Sequence, residues 1–202
     1  PVLEEKSLEL MKKCIELAQD LGVRTIQLAG YDVYYEEKSP QTRQRFIKNL
    51  RKACDWAEEA QVVLAIEIMD DPFINSIEKY LAVEKEIDSP YLFVYPDIGN
   101  VSAWHNDVYS EFYLGHHAIA ALHLKDTYAV TESSKGQFRD VPFGQGCVKW
   151  EEAFDILKQT NYNGPFLIEM WSENCETVEE TRAAIQEAQA FLYPLIKKAG
   201  LM

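Results

Sequence analysis

The sequence predicts an α/β protein in which helices cover a parallel sheet. Along the chain, apolar residues at helical spacing alternate with short runs that are apolar at nearly every position. Such runs are typical of strands that are buried on both faces. The length of 202 residues suits one hydrophobic core, so a single domain over residues 1–202 is expected. An open doubly wound sheet and a (β/α)₈ barrel both fit this pattern.

The first third of the chain predicts two helices and two strands. Ser7 is a candidate cap for a helix that ends at Gly22, and the strand TIQLA follows at 25–29. In the second helix, apolar residues at 46–57 recur three and four positions apart. The strand VVLAIEI follows at 62–68, so the order of elements is helix, strand, helix, strand.

The middle of the chain continues the alternation. Asn75, with Glu78 three residues later, marks the start of a third helix. The apolar run LFVY at 92–95 predicts a strand. A helix from about 102 to 114 and the strand AIAALHL at 118–124 complete this part.

The last third predicts two more helices around a fifth strand. Apolar residues at 150–157 form a helical stripe, and FLIEM at 166–170 is the strand. Thr177 and Glu180 form a T-x-x-E capping box that opens the last helix. Residues 125–149 show no clear period, and a loop of that length in a compact domain is often a functional lid.

Composition argues against several classes of protein. The net charge is −13 with charges of both signs spread along the chain, which argues against a nucleic-acid-binding surface. No segment approaches the roughly 18 consecutive apolar residues of a membrane span, and PVLEEKSLEL does not resemble a signal peptide. Gly30 is followed by YDVYYE, so the dinucleotide fingerprint is missing and no nucleotide cofactor is expected. The four cysteines show no metal or disulfide spacing, which favours reduced thiols and a cytoplasmic location.

Four side chains of metal-ligand type lie at or near the carboxyl ends of four different predicted strands. They are Glu67, Asp97, His123 and Glu169. Functional sites of parallel α/β folds assemble at this edge of the sheet. Each residue alone could be a solvated rim residue or a core histidine, but their joint placement favours a metal site. Three carboxylates and one imidazole suit Mn²⁺, Mg²⁺ or Zn²⁺.

This set of residues also suggests a reaction. A divalent ion can hold two adjacent oxygens of a hydroxyketone and stabilise an enediolate. Glu67 and Glu169 could lie on opposite faces of the substrate, so that one removes a proton and the other returns one. The expected outcome is epimerisation without a redox cofactor.

The segments around these residues carry a specific resemblance. TIQLAGYDVYYE, AIEIMDDPFINS, YPDIGNVSAW, LHLKDTYAV and VPFGQGCVKWEEAF resemble L-ribulose-5-phosphate/L-xylulose-5-phosphate 3-epimerases of bacterial ascorbate and pentulose catabolism. These enzymes belong to the xylose-isomerase-like TIM-barrel superfamily. The resemblance implies a metal held by Glu67, Asp97, His123 and Glu169, with the two glutamates as the acid/base pair. The implied ion is Zn²⁺ or Mn²⁺, with Mg²⁺ or Co²⁺ as alternatives, and the implied substrate is a ketopentose 5-phosphate.

Substrate contacts are predicted at Asn100, Lys125 and Gln27. Asn100 lies three residues after Asp97, where related epimerases place a polar group, and Lys125 lies two residues after His123. Two loop cations, Lys135 and Arg139, are weaker candidates for the phosphate. Residues in or near an outward-facing helix are left out of the predicted site: Trp104, His105, His116 and His117.

By this resemblance, TIQLA corresponds to the fourth of eight barrel strands and FLIEM to the eighth. We therefore expect about five β/α units, strands four to eight, without the first three. An unpaired strand edge favours association, so a homo-oligomer, in particular a dimer, is expected. Two alternatives stay open: an aldose–ketose or hydroxypyruvate-type isomerase, or an inactive truncated barrel that acts only through self-association. An endonuclease of the same superfamily is disfavoured by the acidic charge and by the presence of only four histidines.

Overall fold

The computed structural model describes residues 2–34 and 37–202. The helices in this part of the chain are α1 (Val2–Leu21), α2 (Pro40–Ala60), α3 (Ile77–Ile87), α4 (Ile98–Ala103), α5 (Val108–Gly115), α6 (Trp150–Gln159) and α7 (Val178–Ala199), with a 3₁₀ helix at His116–Ala118. The strands are β1 (Thr25–Ala29), β2 (Val63–Glu67), β3 (Leu92–Tyr95), β4 (Leu122–Leu124), β5 (Asp126–Tyr128), β6 (Gln137–Val141) and β7 (Phe166–Ile168).

Five of these strands are parallel and lie in the order β1, β2, β3, β4, β7. The first three form one ladder and β4 pairs with β7. Parallel bridges between Val94 and Ile119 and between Asp97 and His123 join the two ladders. Helices fill the connections between successive strands, as parallel pairing requires. The prediction of a parallel α/β fold is confirmed.

The two faces of the sheet pack differently. On one face, Leu64 and Ile66 of β2 are fully buried and belong to the large apolar core that the helices share. On the other face, Ala65 contacts Tyr95 in a small separate cluster. Side chains alternate along a strand, so Glu67 lies on the same face as Ala65 and points away from the helices.

Two predicted helix starts are wrong. Helix α1 already includes Val2, and Ser7 lies inside it, where its hydroxyl donates to the carbonyl of Leu3 at 2.8 Å. Helix α3 is capped by Ser76, whose hydroxyl accepts from the backbone N–H of Lys79, and not by Asn75. For α3, the adjacent Asn75 and Ser76 are competing caps, and only the backbone path decides between them.

The single helix predicted from 102 to 114 is two helices. Asp97 caps α4 and Asp107 caps α5. Between them His105 has φ of +59°, a left-handed conformation that ends one helix before the next begins. The apolar period continues across this break, which is why periodicity alone merges the two helices.

The region 118–149 also differs from the prediction. The strand expected over 118–124 is confined to Leu122–Leu124. Residues 125–149, expected to be irregular, contain the antiparallel ribbon of β5 and β6. The bounds of TIQLA and LFVY and the Thr177–Glu180 capping box are confirmed.

Two further observations concern thiols and helix length. All four cysteines are free thiols. Among the described residues, no helix combines the length and the apolar character that crossing a membrane would need.

Candidate metal centre

Each of the four predicted ligand residues is placed by the end of a parallel strand. Glu67 is the last residue of β2 and His123 is the central residue of β4. Asp97 lies two residues after the end of β3, and Glu169 directly follows β7. Ligand atoms of all four residues lie within 4.8 Å of one another. The structure therefore brings together side chains that are up to 102 positions apart in the chain.

The spacing of these atoms is that of ligands around one ion. Nδ1 of His123 lies 2.9 Å from Oε1 of Glu67, 3.0 Å from Oε2 of Glu169 and 3.9 Å from Oδ2 of Asp97. Divalent zinc or magnesium binds nitrogen and oxygen at about 2.0–2.2 Å. Neighbouring ligands of one ion are therefore roughly 3 Å apart. The four residues fit a single divalent cation.

Burial also indicates that a cation belongs here. Glu67, Asp97 and His123 are 7%, 0% and 4% exposed. Oδ2 of Asp97 and Oε2 of Glu169 are buried. Each has a nitrogen 3.0 Å away, Nζ of Lys125 and Nδ1 of His123 respectively, but neither contact among the described residues has the geometry of a hydrogen bond. Buried carboxylate oxygens are costly unless a proton, a donor or a metal satisfies them. An ion between these residues would satisfy both.

The cluster perturbs the pKa values of its members. Burial by itself would lower the pKa of His123, but the carboxylates of Glu169 and Glu67, both within 3.0 Å of Nδ1, outweigh it and raise the pKa to about 9. Burial also raises the pKa of Asp97, and the charge of Lys125 only partly opposes it. For Glu169, burial is outweighed by His123 and Lys125, which lower its pKa to about 2. Without an ion, the imidazole therefore carries a proton between the carboxylates.

Two donors outside the predicted ligand set hold the remaining glutamate oxygens. Nε2 of Gln27 donates to Oε2 of Glu67 at 2.6 Å. Nζ of Lys125 donates to Oε1 of Glu169 at 3.1 Å and lies 3.0 Å from Oδ2 of Asp97. Gln27 and Lys125 were predicted as substrate contacts. In the structure Gln27 contacts Glu67, and Lys125 contacts Glu169 and Asp97; contact with a substrate stays a prediction.

Asn100 lies deep beside the cluster. Its backbone N–H donates to Oδ1 of Asp97 at 2.7 Å, and its side-chain Nδ2 donates to the carbonyl of Ile68 at 2.9 Å. Its Oδ1 is buried and has no hydrogen-bond partner among the described residues. Asn100 therefore orients Asp97 through its backbone and leaves one acceptor available.

Comparison with known proteins decides the family. Residues 1–195 match the family model of the xylose isomerase-like TIM barrel. The chain belongs to this family. The prediction from the sequence motifs is confirmed, and the five parallel strands belong to this barrel fold.

Named relatives of this xylose isomerase-like barrel are epimerases. The putative L-ribulose-5-phosphate 3-epimerase SgbU of Haemophilus influenzae is 52% identical over 200 residues, which are 99% of this chain and 69% of that protein. L-ribulose-5-phosphate 3-epimerase UlaE of Escherichia coli is 47% identical over 197 residues, 98% of this chain and 66% of that protein. The expected class, an isomerase of the epimerase type, is confirmed by these relatives.

A solved structure supports the fold independently. The structure of an L-ribulose 3-epimerase superposes with a TM-score of 0.76 at 20% identity, covering 95% of this chain and 67% of the other. The chain thus spans about two thirds of the length of the proteins that it matches.

A cavity of about 390 Å³ opens beside the ligand cluster of this barrel. Lys125 and Glu169 form one side, and Phe143 and Trp171 are among its other lining residues. The guanidinium of Arg139, on the β5–β6 ribbon, stacks over the ring of Trp171 at 3.8 Å. The other loop cation, Lys135, is exposed in the turn of that ribbon and is not brought to the cluster.

Asp126, which the sequence prediction missed, organises the wall of this cavity. Its carboxylate accepts from the backbone N–H groups of Gly144 at 2.8 Å and Gly146 at 3.2 Å, and from Nε1 of Trp150 at 3.4 Å. A Cβ added at Gly146 would clash with Oδ1 of Asp126. The glycine-rich turn thus directs its N–H groups at an internal carboxylate. The sequence signal that could have indicated this contact is the acid directly after HLK, followed about twenty residues later by the glycine-rich turn FGQG.

Proposed function

We propose that this chain carries the metal-dependent epimerisation of a ketopentose 5-phosphate at C3, interconverting L-ribulose 5-phosphate and L-xylulose 5-phosphate. The observation that carries the proposal is the convergence of Glu67, Asp97, His123 and Glu169, whose ligand atoms lie within 4.8 Å of one another. The names of the relatives supply the substrate class. The whole activity is proposed because the chain spans only about two thirds of those proteins.

In this proposal one divalent ion is held by the same four residues. The donor set suits Zn²⁺ or Mn²⁺, with Mg²⁺ or Co²⁺ as alternatives, and no nucleotide cofactor is included. When bound, the ion would act as a Lewis acid on two adjacent oxygens of the ketose and stabilise negative charge there.

The two glutamates would move the protons. Glu67 and Glu169 approach His123 from β2 and β7, which lie on opposite sides of β4 in the sheet order. One carboxylate takes the C3 proton and leaves the C–H electron pair in the enediolate. The other, as a carboxylic acid, donates a proton to the opposite face of C3. The configuration inverts and no electrons are gained or lost.

The sugar phosphate would enter through the cavity beside Glu169. We include Lys125, Asn100 and Gln27 as proposed contacts to the sugar, because each donates a hydrogen bond to a carboxylate of the predicted ligand set. No nucleic acid or membrane partner is included. A cytoplasmic location remains a prediction from the free cysteines.

The direct test is an epimerisation assay on the purified chain with and without added Mn²⁺ or Zn²⁺. We expect product only with the ion, and at least a ~100-fold loss of rate in Glu67→Gln and Glu169→Gln. Glu179→Gln, an exposed position at the start of α7, is the matched control. Metal-independent turnover, or full activity in either glutamate variant, would refute the proposal. Formation of an aldose instead would favour the aldose–ketose isomerase alternative.

We also propose that residues 1–202 form a single domain that corresponds to barrel strands four to eight, and that it self-associates as a dimer. Within the described residues, β1 has no strand partner on its outer edge. The outer face of α1 exposes Leu3, Leu10 and Leu17 by 70%, 56% and 55%. Repeated leucines seven positions apart form a helix-packing stripe. This surface also favours the alternative of an assembly module, if the chain proves inactive.

A further inference from the structure

The two glutamates of the centre share one arrangement. In each, one carboxylate oxygen faces Nδ1 of His123: Oε1 of Glu67 at 2.9 Å and Oε2 of Glu169 at 3.0 Å. The other oxygen is held by a donor that is not a ligand type for the ion. That donor is the neutral amide of Gln27 for Glu67 and the ammonium of Lys125 for Glu169.

We propose that Gln27 and Lys125 are positioning residues, one for each catalytic glutamate, and that each controls proton transfer on one face of the substrate. This inference rests on the proposed epimerase function and deepens it. A carboxylate with one oxygen at the ion and one oxygen tethered cannot rotate about its terminal bond. The tethered oxygen then stays aimed at one face of C3, where small misplacement is costly.

The position of Lys125 supports a structural hold on Glu169. The residue is 7% exposed, and its ammonium lies between Oε1 of Glu169 and Oδ2 of Asp97. A buried lysine is stable when carboxylates surround its charge. The ammonium of Lys125 also offsets the negative charge of the centre. With all three acids ionised, three carboxylates, a neutral imidazole, a divalent ion and one ammonium sum to zero charge, which lowers the cost of burying them.

Gln27 provides the neutral counterpart. It lies on β1, whose residue Ala29 pairs with Glu67 in the parallel register. Its amide reaches across the strand end to Oε2 of Glu67 at 2.6 Å, a short and therefore directional contact. An amide can orient the carboxylate without adding a charge to the centre. The two donors therefore act on different glutamates, and their loss has different consequences for the two faces.

The test uses loss of deuterium from each epimer labelled at C3, measured separately with Mn²⁺ present. In Lys125→Met we expect label loss from one epimer to fall by about tenfold and label loss from the other to stay within about twofold. Gln27→Leu should show the opposite preference. Net epimerisation should fall in both variants, because it needs both glutamates. Lys125→Arg, which keeps a cation for Glu169, should recover part of the lost rate.

The inference would be overturned if, in Lys125→Met, the rate of label loss fell equally for both epimers and KM rose. A lysine that only binds the sugar would affect both faces in this way. Unchanged label loss for both epimers would overturn it too. A wild-type chain that releases no label refutes the proposed function itself, so the two failures are distinguishable.

Mn²⁺ affinity gives a readout that does not depend on turnover. Titration calorimetry should show one ion bound in the wild type and in both variants, because all four ligands remain. Lys125→Met should change Kd by about threefold or more, and this change should shrink in a Glu169→Gln background but persist in Glu67→Gln. Complete loss of Mn²⁺ binding in Lys125→Met, or equal coupling to both glutamates, would contradict a role at Glu169 that does not extend to Glu67.

Discussion

Nδ1 of His123 lies 2.9 Å from Oε1 of Glu67, although the residues are 56 positions apart and lie on strands that do not pair. Strand β3 separates β2 from β4, and both side chains point to the face of the sheet that the helices leave open. This contact, with those to Asp97 and Glu169, makes one compact centre from four strand ends. The imidazole is the only nitrogen ligand type in it.

Removal of this imidazole should weaken metal binding most directly. In His123→Ala we expect Mn²⁺ or Zn²⁺ affinity to fall at least ~100-fold, because a four-ligand centre loses its one nitrogen donor. Metal content after dialysis, measured by mass spectrometry of the elements, checks this. His117→Ala changes an exposed histidine outside the cluster and should bind the ion normally. Unchanged occupancy in His123→Ala would exclude the ligand assignment.

Metal binding should release a proton at neutral pH. In the metal-free protein the pKa of His123 is raised to about 9, so the imidazole is charged at pH 7 and must lose its proton to bind an ion. Because the pKa of His123 is raised by folding, its positive charge stabilises the metal-free fold fully below about pH 6.5. This contribution to the free energy of unfolding is lost as the pH rises through 9. Calorimetry of Mn²⁺ binding in buffers of different ionisation enthalpy measures the proton. Release at pH 7 that is the same at pH 10 would contradict the prediction.

Asp126 should matter for stability more than for chemistry. Its carboxylate accepts from the N–H groups of Gly144 and Gly146 and from the ring of Trp150. Asp126→Ala leaves the indole N–H of the buried Trp150 unpaired and removes the acceptor that holds the Gly144–Gly146 turn, so the free energy of unfolding should fall by about 1–3 kcal/mol. Urea denaturation measures it. Glu132→Ala, exposed in the same connection, should be within about 0.5 kcal/mol of wild type.

The exposed stripe of α1 should carry self-association. We expect Leu10→Lys combined with Leu17→Lys to raise the dimer dissociation constant at least about tenfold, because charges replace the apolar contact at its centre. Sedimentation velocity over a concentration range checks this. Leu114→Lys changes a leucine on α5 that is exposed to a similar extent and should leave association unchanged. A monomeric wild-type chain would refute self-association.

Local sequence predicted the elements whose boundaries depend on local chemistry. LFVY has the expected bounds because it is a continuous apolar run that is buried as a strand, and TIQLA has them although only Ile26 in it is buried. The Thr177–Glu180 capping box also forms as predicted, because its hydrogen bonds join residues three positions apart.

Predictions failed where the deciding contact is distant or where two local signals compete. The ribbon of β5 and β6 pairs Asp126 with Val141, and no period within either segment indicates that partner. The break at His105 separates α4 from α5 because two aspartates cap successive helices, although the apolar period continues through both. The apolar period shows which side of a helix is buried, but it does not show where the backbone hydrogen bonds of the helix end.

From sequence alone, the candidates Glu67, Asp97, His123 and Glu169 follow from strand ends, since parallel strands must present their carboxyl ends at one edge. Only the tertiary structure shows that Gln27 and Lys125 hold the outer oxygens of the two glutamates, and that Asp126 faces inward to the FGQG turn. Strand direction is a property of the chain pattern. Which oxygen of a carboxylate meets which donor depends on angles and distances of a few ångströms, and these are set when separate strands pack together.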